Sequence, residues 1–259
     1  MVKKICLAAL AMLSFVAVAE ESLLTRLNNK GTVIVATDGA YAPFSYHDES
    51  GKLTGYDVEV TRLIGEKLGV TIEFKETLWD AMLAGLKAGR FDLVANQVTL
   101  HNEERRAAFD AAEPYTWSGA MILVHKDSTH DIKTLSDIKG LKAAQSLNSN
   151  FATLAQNAGA EIVPAESLPQ EIALVVQKRA DLTMNDSLAY LDYLRKNPDA
   201  PLKTAWRAPK EEWVASGLVA AKGNEEALAR ISQALIELRE EGKLKALGEQ
   251  FFGEDVSVR

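Results

Sequence analysis

Arg105, Thr99 and Asp186 are the residues whose types could hold a small charged solute. A guanidinium grips a carboxylate with two parallel N–H bonds, which the point charge of a lysine does not. An aspartate accepts from an ammonium, and a threonine hydroxyl adds a further oxygen to that ammonium's partners. An α-amino acid is a zwitterion, and taking it out of water leaves roughly several kcal/mol uncompensated for each charge not paired. These residues therefore point to recognition of an amino acid rather than to its conversion. Ser149 and Asn150 open a helix whose free N–H groups suit the same carboxylate. Capping alone is the competing reading there. A backbone carbonyl near Gln97 would serve the ammonium, and Trp79 and Tyr41 would supply apolar walls. Tyr41 is equally well read as a core residue beneath its loop, and Phe44 is better read so.

The elements that must position these groups can be placed from periodicity. The stretch 91–106, FDLVANQVTLHNEERR, starts as a short apolar run broken by Asp92. Such a run reads as a buried strand over 91–95. It then turns polar at Asn96 and Gln97 and ends in a charged cluster at 103–106. A strand ending in a hydroxyl and an arginine is what a parallel sheet needs to hold an anion at its carboxyl edge. Strands are also expected at 32–36, 70–74, 120–125, 143–144, 180–184 and 216–221. Apolar spacing and stop signals predict helices over 56–68, 79–86, 151–158, 170–176, 188–194, 225–238 and 244–252. With Pro198, Pro201 and Pro209, the stretch 197–209 reads as loop. GRFDLVANQV at 89–98 is echoed by KRADLTMNDS at 178–187, with Arg, Asp, Leu and Asn in the same places. The echo suggests two lobes of similar topology facing each other, with Thr99 and Arg105 opposite Asp186.

Composition narrows the function classes. Lys3 and Lys4 precede an apolar run from 5 to 18, closed by Ala17-Val18-Ala19. This reads as a signal peptide over 1–19, cleaved after Ala19. Cys6, the single cysteine, lies inside it, so the mature chain has no thiol for a disulfide or a thiolate metal site. Export without cysteine fits a bacterial periplasm. Beyond residue 19 there are 27 basic and 36 acidic residues, a net charge of −9, which argues against nucleic acid and anionic membranes. His47, His101, His125 and His130 are scattered, and GxSxG, HExxH, P-loop and GxGxxG patterns are missing. The residues give no catalytic assignment and call for neither cofactor nor metal.

Five stretches together resemble a known family: GAYAPFSYHDESGKLTGYDVEV (39–60), WDAMLAGLKAGRFDLVANQVT (79–99), ERRAAFDAAEPY (104–115), SLNSN (146–150) and EGKLKALGEQFFG (241–253). The chain resembles the bacterial periplasmic solute-binding proteins for polar amino acids that serve ABC importers, solute-binding protein family 3. LWDAMLAGL, ANQVT and PYTWSG place the nearest likeness in the cystine-binding branch. The resemblance implies an α/β, two-lobed, type II periplasmic binding protein. Each lobe would be a mostly parallel sheet flanked by helices, and two crossing strands would join them. Lobe 1 is expected over 20–114 and 210–259, lobe 2 over 115–209. The resemblance further implies that Arg105 takes the α-carboxylate and Asp186 the α-ammonium, beside Thr99. Gln97 would offer a backbone carbonyl, Ser149 and Asn150 a carboxylate cradle, Tyr41 and Trp79 aromatic walls, and Asp38 a further pocket group. The partners implied are a free L-amino acid and an inner-membrane permease, with the chain a monomer. Cystine or cysteine is the expected ligand, glutamine another. The alternative of a different class is a cyclohexadienyl or arogenate dehydratase on the same scaffold, with Glu113 or Glu212 as general acid. Two departures stand out. Thr99 to Arg105 is six residues where the family usually has five, which leaves Arg106 as a rival, and Ala111-Ala112 replaces the usual aromatic-serine pair.

Overall fold

The computed structural model describes residues 21–259, and the expected signal peptide lies outside the described residues. A short helix, α1 (Leu23–Asn28), leads into β1 (Thr32–Thr37). A small three-stranded sheet follows, made of β2 (Ala40–Tyr41), β3 (Ser45–His47) and β4 (Leu53–Thr54). Then come α2 (Tyr56–Leu68), β5 (Thr71–Glu76), α3 (Trp79–Lys87), β6 (Leu93–Val98), α4 (Glu103–Ala108) and β7 (Phe109–Ala111). The chain leaves through β8 (Thr116–Ser118) into β9 (Ala120–His125), β10 (Lys142–Gln145), α5 (Asn150–Asn157) and β11 (Glu161–Pro164). It continues through α6 (Leu168–Val176), β12 (Leu182–Asp186), α7 (Ser187–Lys196) and β13 (Leu202–Arg207). It returns along β14 (Val214–Ala221) to α8 (Glu225–Glu240) and α9 (Lys243–Phe252).

The two large sheets share one plan. The first has the order β5-β1-β6-β14-β7, with β8 also on β14, and the second β11-β10-β12-β9-β13. Both are mixed rather than mostly parallel. β1 runs parallel to β5 and β6, and β10 to β11 and β12, because a helix crosses over between successive strands there. β14 and β9 enter from the other lobe without such a crossover and run antiparallel to their neighbours. The two crossing segments pair with each other, Thr116 opposite Ser216 and Ser118 opposite Val214.

The echoed decapeptides fill the same place, β6 and β12, third in each sheet. Their aspartates do the same work. The Asp92 nitrogen donates to the Ile34 carbonyl at 2.9 Å, and its carboxylate accepts from the Ile34 nitrogen at 2.7 Å. Asp181 clasps Lys142 in the same way, its carboxylate 2.8 Å from the nitrogen. Asp92 also pairs with Arg26 at 3.0 Å, which explains a charge inside an apolar run.

Three expectations shift. The strand expected over 91–95 runs on to Val98, so Asn96 and Gln97 are buried strand residues. The charged cluster at 103–106, where no helix is expected, opens helix α4, capped by the Asn102 side chain at 2.8 Å from the Arg105 nitrogen. The stretch expected as loop, 197–209, contains β13. β13 pairs only with β9, stays largely exposed and is bracketed by its prolines, so neither apolar alternation nor a clean run marks it.

The start of α2 docks onto the small sheet, Tyr56 and Asp57 donating to the Pro43 and Phe44 carbonyls at 2.9 and 3.0 Å. Gly55 makes this turn at φ +124°, and a methyl there would sit on the Phe44 carbonyl and 2.7 Å from the Ser45 nitrogen. Gly55→Ala is therefore expected to cost about 2–4 kcal/mol in urea unfolding. Gly51→Ala, at φ +80° in open space, should cost only about 1 kcal/mol. Equal losses at the two glycines would refute the steric account.

Candidate functional site

The carboxyl ends of four strands converge on one cavity. A single cleft is lined by Asp38 after β1, Asn96 and Gln97 in β6, Ser146 after β10 and Asn185 in β12. Two elements come from one sheet and two from the other, as the strand-end rule for open α/β sheets requires. Six of the expected residues line it: Asp38, Tyr41, Trp79, Gln97, Ser149 and Asn150. Thr99 lines an adjoining groove that shares Asn150 and Phe151, and Arg105 lines another that shares Trp79. Asp186 lines none of these spaces. It caps α7, accepting from the Leu188 nitrogen at 2.8 Å, and is hooked by the hydroxyl of Ser118 on the crossing strand. Arg105 and Asp186 thus share no cavity in this arrangement.

Arg105 is the inward arginine. It is 6 % exposed, and its guanidinium donates to the Thr99 carbonyl at 3.0 Å and, across the lobes, to the Asn148 carbonyl at 2.5 Å. It lies 5.4 Å from the Trp79 ring. Arg106 turns outward, to the Leu100 carbonyl. Burial pushes the Arg105 guanidinium down to about 10, with Glu104 opposing. Buried carboxylates face the same deficit from the other sign. Burial raises Asp186 to about 6 against its hydrogen bonds to Ser118 and Leu188. Burial likewise raises Asp38 to about 6.

Several local reasons fix the rest. Ser149 caps α5, accepting from the Ala152 nitrogen at 2.9 Å, and also faces the cleft. Tyr41 packs 5.1 Å from the buried Phe44 ring and also lines the cleft. Its hydroxyl donates across the lobes to the Asn185 side chain at 2.7 Å. Gln97 has φ +50°, strained for a residue with a side chain. Asp57, on the first turn of α2, holds it there, accepting from the Gln97 nitrogen at 2.8 Å and its amide at 2.6 Å. Burial pushes the Asp57 carboxyl up to about 7 against these bonds. The cleft keeps two unpartnered polar atoms, Trp79 Nε1 and Gln97 Oε1. Sequence reasoning missed Asn96, Ser146, Phe151, Leu168, Glu171 and Asn185 as lining residues. The shared asparagine of the two echoed segments was a signal for Asn96 and Asn185.

The model for bacterial extracellular solute-binding proteins, family 3, matches residues 33–254. The chain belongs to this family. It is 44 % identical over 232 residues to a probable amino-acid ABC transporter-binding protein of Haemophilus influenzae, covering 90 % of this chain and 89 % of the relative. It is 41 % identical over 236 residues to the L-cystine-binding protein TcyA of Bacillus subtilis, 91 % and 86 % covered. A crystal structure of the L-cystine solute receptor of Neisseria gonorrhoeae, unliganded and open, is 61 % identical over 92 % of this chain and all of that one, with a TM-score of 0.63. An ancestral arginine-binding protein bound to arginine is only 32 % identical, over 86 % and 99 %, yet scores 0.79. The more similar sequence gives the poorer superposition. Together with the hydrogen bonds of Tyr41 and Arg105 across the cleft, this describes a family fold with its lobes drawn together.

An amide at position 57 has one acceptor where the carboxylate has two, so one N–H would face another. Asp57→Asn should cost about 1–3 kcal/mol in urea unfolding. Its cost should shrink in a Gln97→Gly background, where the strain and the side-chain donor are both gone. Strict additivity of the two substitutions would show that Asp57 does not hold Gln97.

Proposed function

We propose that this chain is the substrate-binding component of an amino-acid ABC importer, exported by its leader to the periplasm, and that it closes on L-cystine. The observation that carries this is Arg105. A guanidinium buried at the seam of two lobes and bonded only to backbone carbonyls is a cation short of an anion. A carboxylate bridging it to Ser149 and the Asn150 N–H at the start of α5 supplies that anion and ties lobe 2 to lobe 1. Asp186 takes the α-ammonium, with Thr99 and Gln97 beside it, when its side chain swings from Ser118 toward the cleft. Tyr41 and Trp79 wall the disulfide, and Asp38 closes the first-lobe side. The choice of cystine rests on its relatives, a cystine-binding protein and a cystine receptor among them.

Binding without turnover is the reading we favour over a dehydratase. Of the two carboxyls considered as general acids, Glu113 is tied to Arg239 at 2.9 Å, and Glu212 lines only an adjoining groove. A general acid must reach the proton it transfers.

Titration calorimetry on protein refolded to remove carried ligand should give saturable one-to-one binding of L-cystine. Arg105→Lys should weaken it by about tenfold or more, since an ammonium cannot form the paired bonds. Binding of no amino acid at all, or an unchanged affinity in the lysine variant, would defeat the proposal.

A further inference from the structure

Glu171 is the one charged residue lining the cleft to which the site as proposed gives no role. It sits in the first turn of α6, is 1 % exposed and lines the cavity. Its carboxylate accepts from the Ser146 nitrogen and hydroxyl at 2.8 and 2.7 Å on one oxygen. The other oxygen accepts from the Asn185 amide at 3.0 Å and, weakly, from the Thr183 hydroxyl at 3.4 Å. Every partner is neutral, and burial raises the group to about 7 despite them. A helix face reading Leu168, Ile172 and Val175 into the core has no packing need for a carboxylate at 171.

The cavity around it is built to accept. Asp38 is its second carboxyl, and no lysine, arginine or histidine lines it. Across from Glu171, Gln97 is more than nine-tenths buried and its Oε1 has no donor. Two acidic groups and an unpartnered amide oxygen around one space fit cationic nitrogen.

We propose that Glu171 is a specificity-determining residue that receives a second cationic nitrogen of the ligand, remote from the ammonium assigned to Asp186. This rests on the proposed amino-acid site and deepens it. Cystine carries that nitrogen as its second α-ammonium; a basic amino acid carries it at the end of its side chain. Asn185, bonded to Glu171 and to Tyr41 of the facing lobe, couples the contact to the closed arrangement.

Three probes separate the sources: L-cystine, the mixed disulfide of L-cysteine with 3-mercaptopropionate, which lacks only the distal ammonium, and L-lysine. Calorimetry on the full mature chain should show cystine binding about tenfold or more tighter than the mixed disulfide. Glu171→Gln should abolish that preference by weakening cystine alone, leaving the mixed disulfide within about twofold. A preference near one in the unaltered protein overturns the proposal, even if the variant does not fold. So does a variant that weakens both disulfides equally, which is the mark of a structural network. Lysine bound in a Glu171-dependent way, with neither disulfide bound, would uphold Glu171 and refute cystine as the ligand. Failure of all three probes to bind would overturn this inference, while the amino-acid site falls only if no amino acid binds.

Discussion

The structure depends on charges withdrawn wholly or partly from water and tied into no ion pair among the described residues. Arg105, Asp186, Glu171 and Asp38 all lie at or near the seam between the lobes, and each is shifted by burial toward its neutral form. Their hydrogen bonds go to backbone and neutral side chains. Desolvating an ion costs several kcal/mol, roughly, and neutral partners return only part of it. A protein carrying four such groups at one seam is under strain that one solute of matching charges relieves. That is the physical content of a binding site here, and it is stronger evidence than cavity shape.

The fold delivers this by repetition. Both sheets set a strand with an asparagine near its carboxyl end third in order, anchored at its start by an aspartate that clasps the neighbouring strand. The clasp fixes register at the amino end, so the carboxyl ends, with Asn96 and Asn185, meet the cleft at the same depth. The crossing strands β8 and β14 join the sheets by a single short antiparallel ladder. Few bonds resist a rotation of one lobe against the other, and hinge closure of this kind is a common way to enclose a ligand.

Periodicity made most of the frame legible. Helix α2 spans the residues its apolar spacing marks, Tyr56 to Leu68, and ends at Gly69 in the left-handed conformation. The echo between 89–98 and 178–187 announced two equivalent lobes. What stayed hidden has a physical reason in each case. β13 is an exposed edge strand with partners on one side, so burial leaves no pattern in it. Glu171 sits where a solvated helix would also place a glutamate, in the first turn, where the dipole favours it. Only the tertiary fold shows that this turn faces inward. Tyr41 and Ser149 each pack or cap locally and also face the cleft, because a side chain at a cleft wall packs on one face and offers its polar tip on the other.

Closure itself is finely balanced. The Tyr41–Asn185 and Arg105–Asn148 bonds cross the cleft, and hydrogen bonds of this kind are each worth about 0.5–3 kcal/mol net, the upper end for a charged donor. Against them stands the removal of water from the buried charges. Terms of this size leave neither arrangement of the lobes overwhelmingly favoured, so a solute needs only modest differential affinity to shift the population. The same arithmetic bears on selectivity. A solute that satisfies Arg105 but leaves Glu171 with neutral partners gains the lobe-to-lobe bridge without repaying the acidic half of the cavity. Discrimination then arises from a charge left unpaired on the protein, which penalises the wrong ligand more than an extra contact rewards the right one.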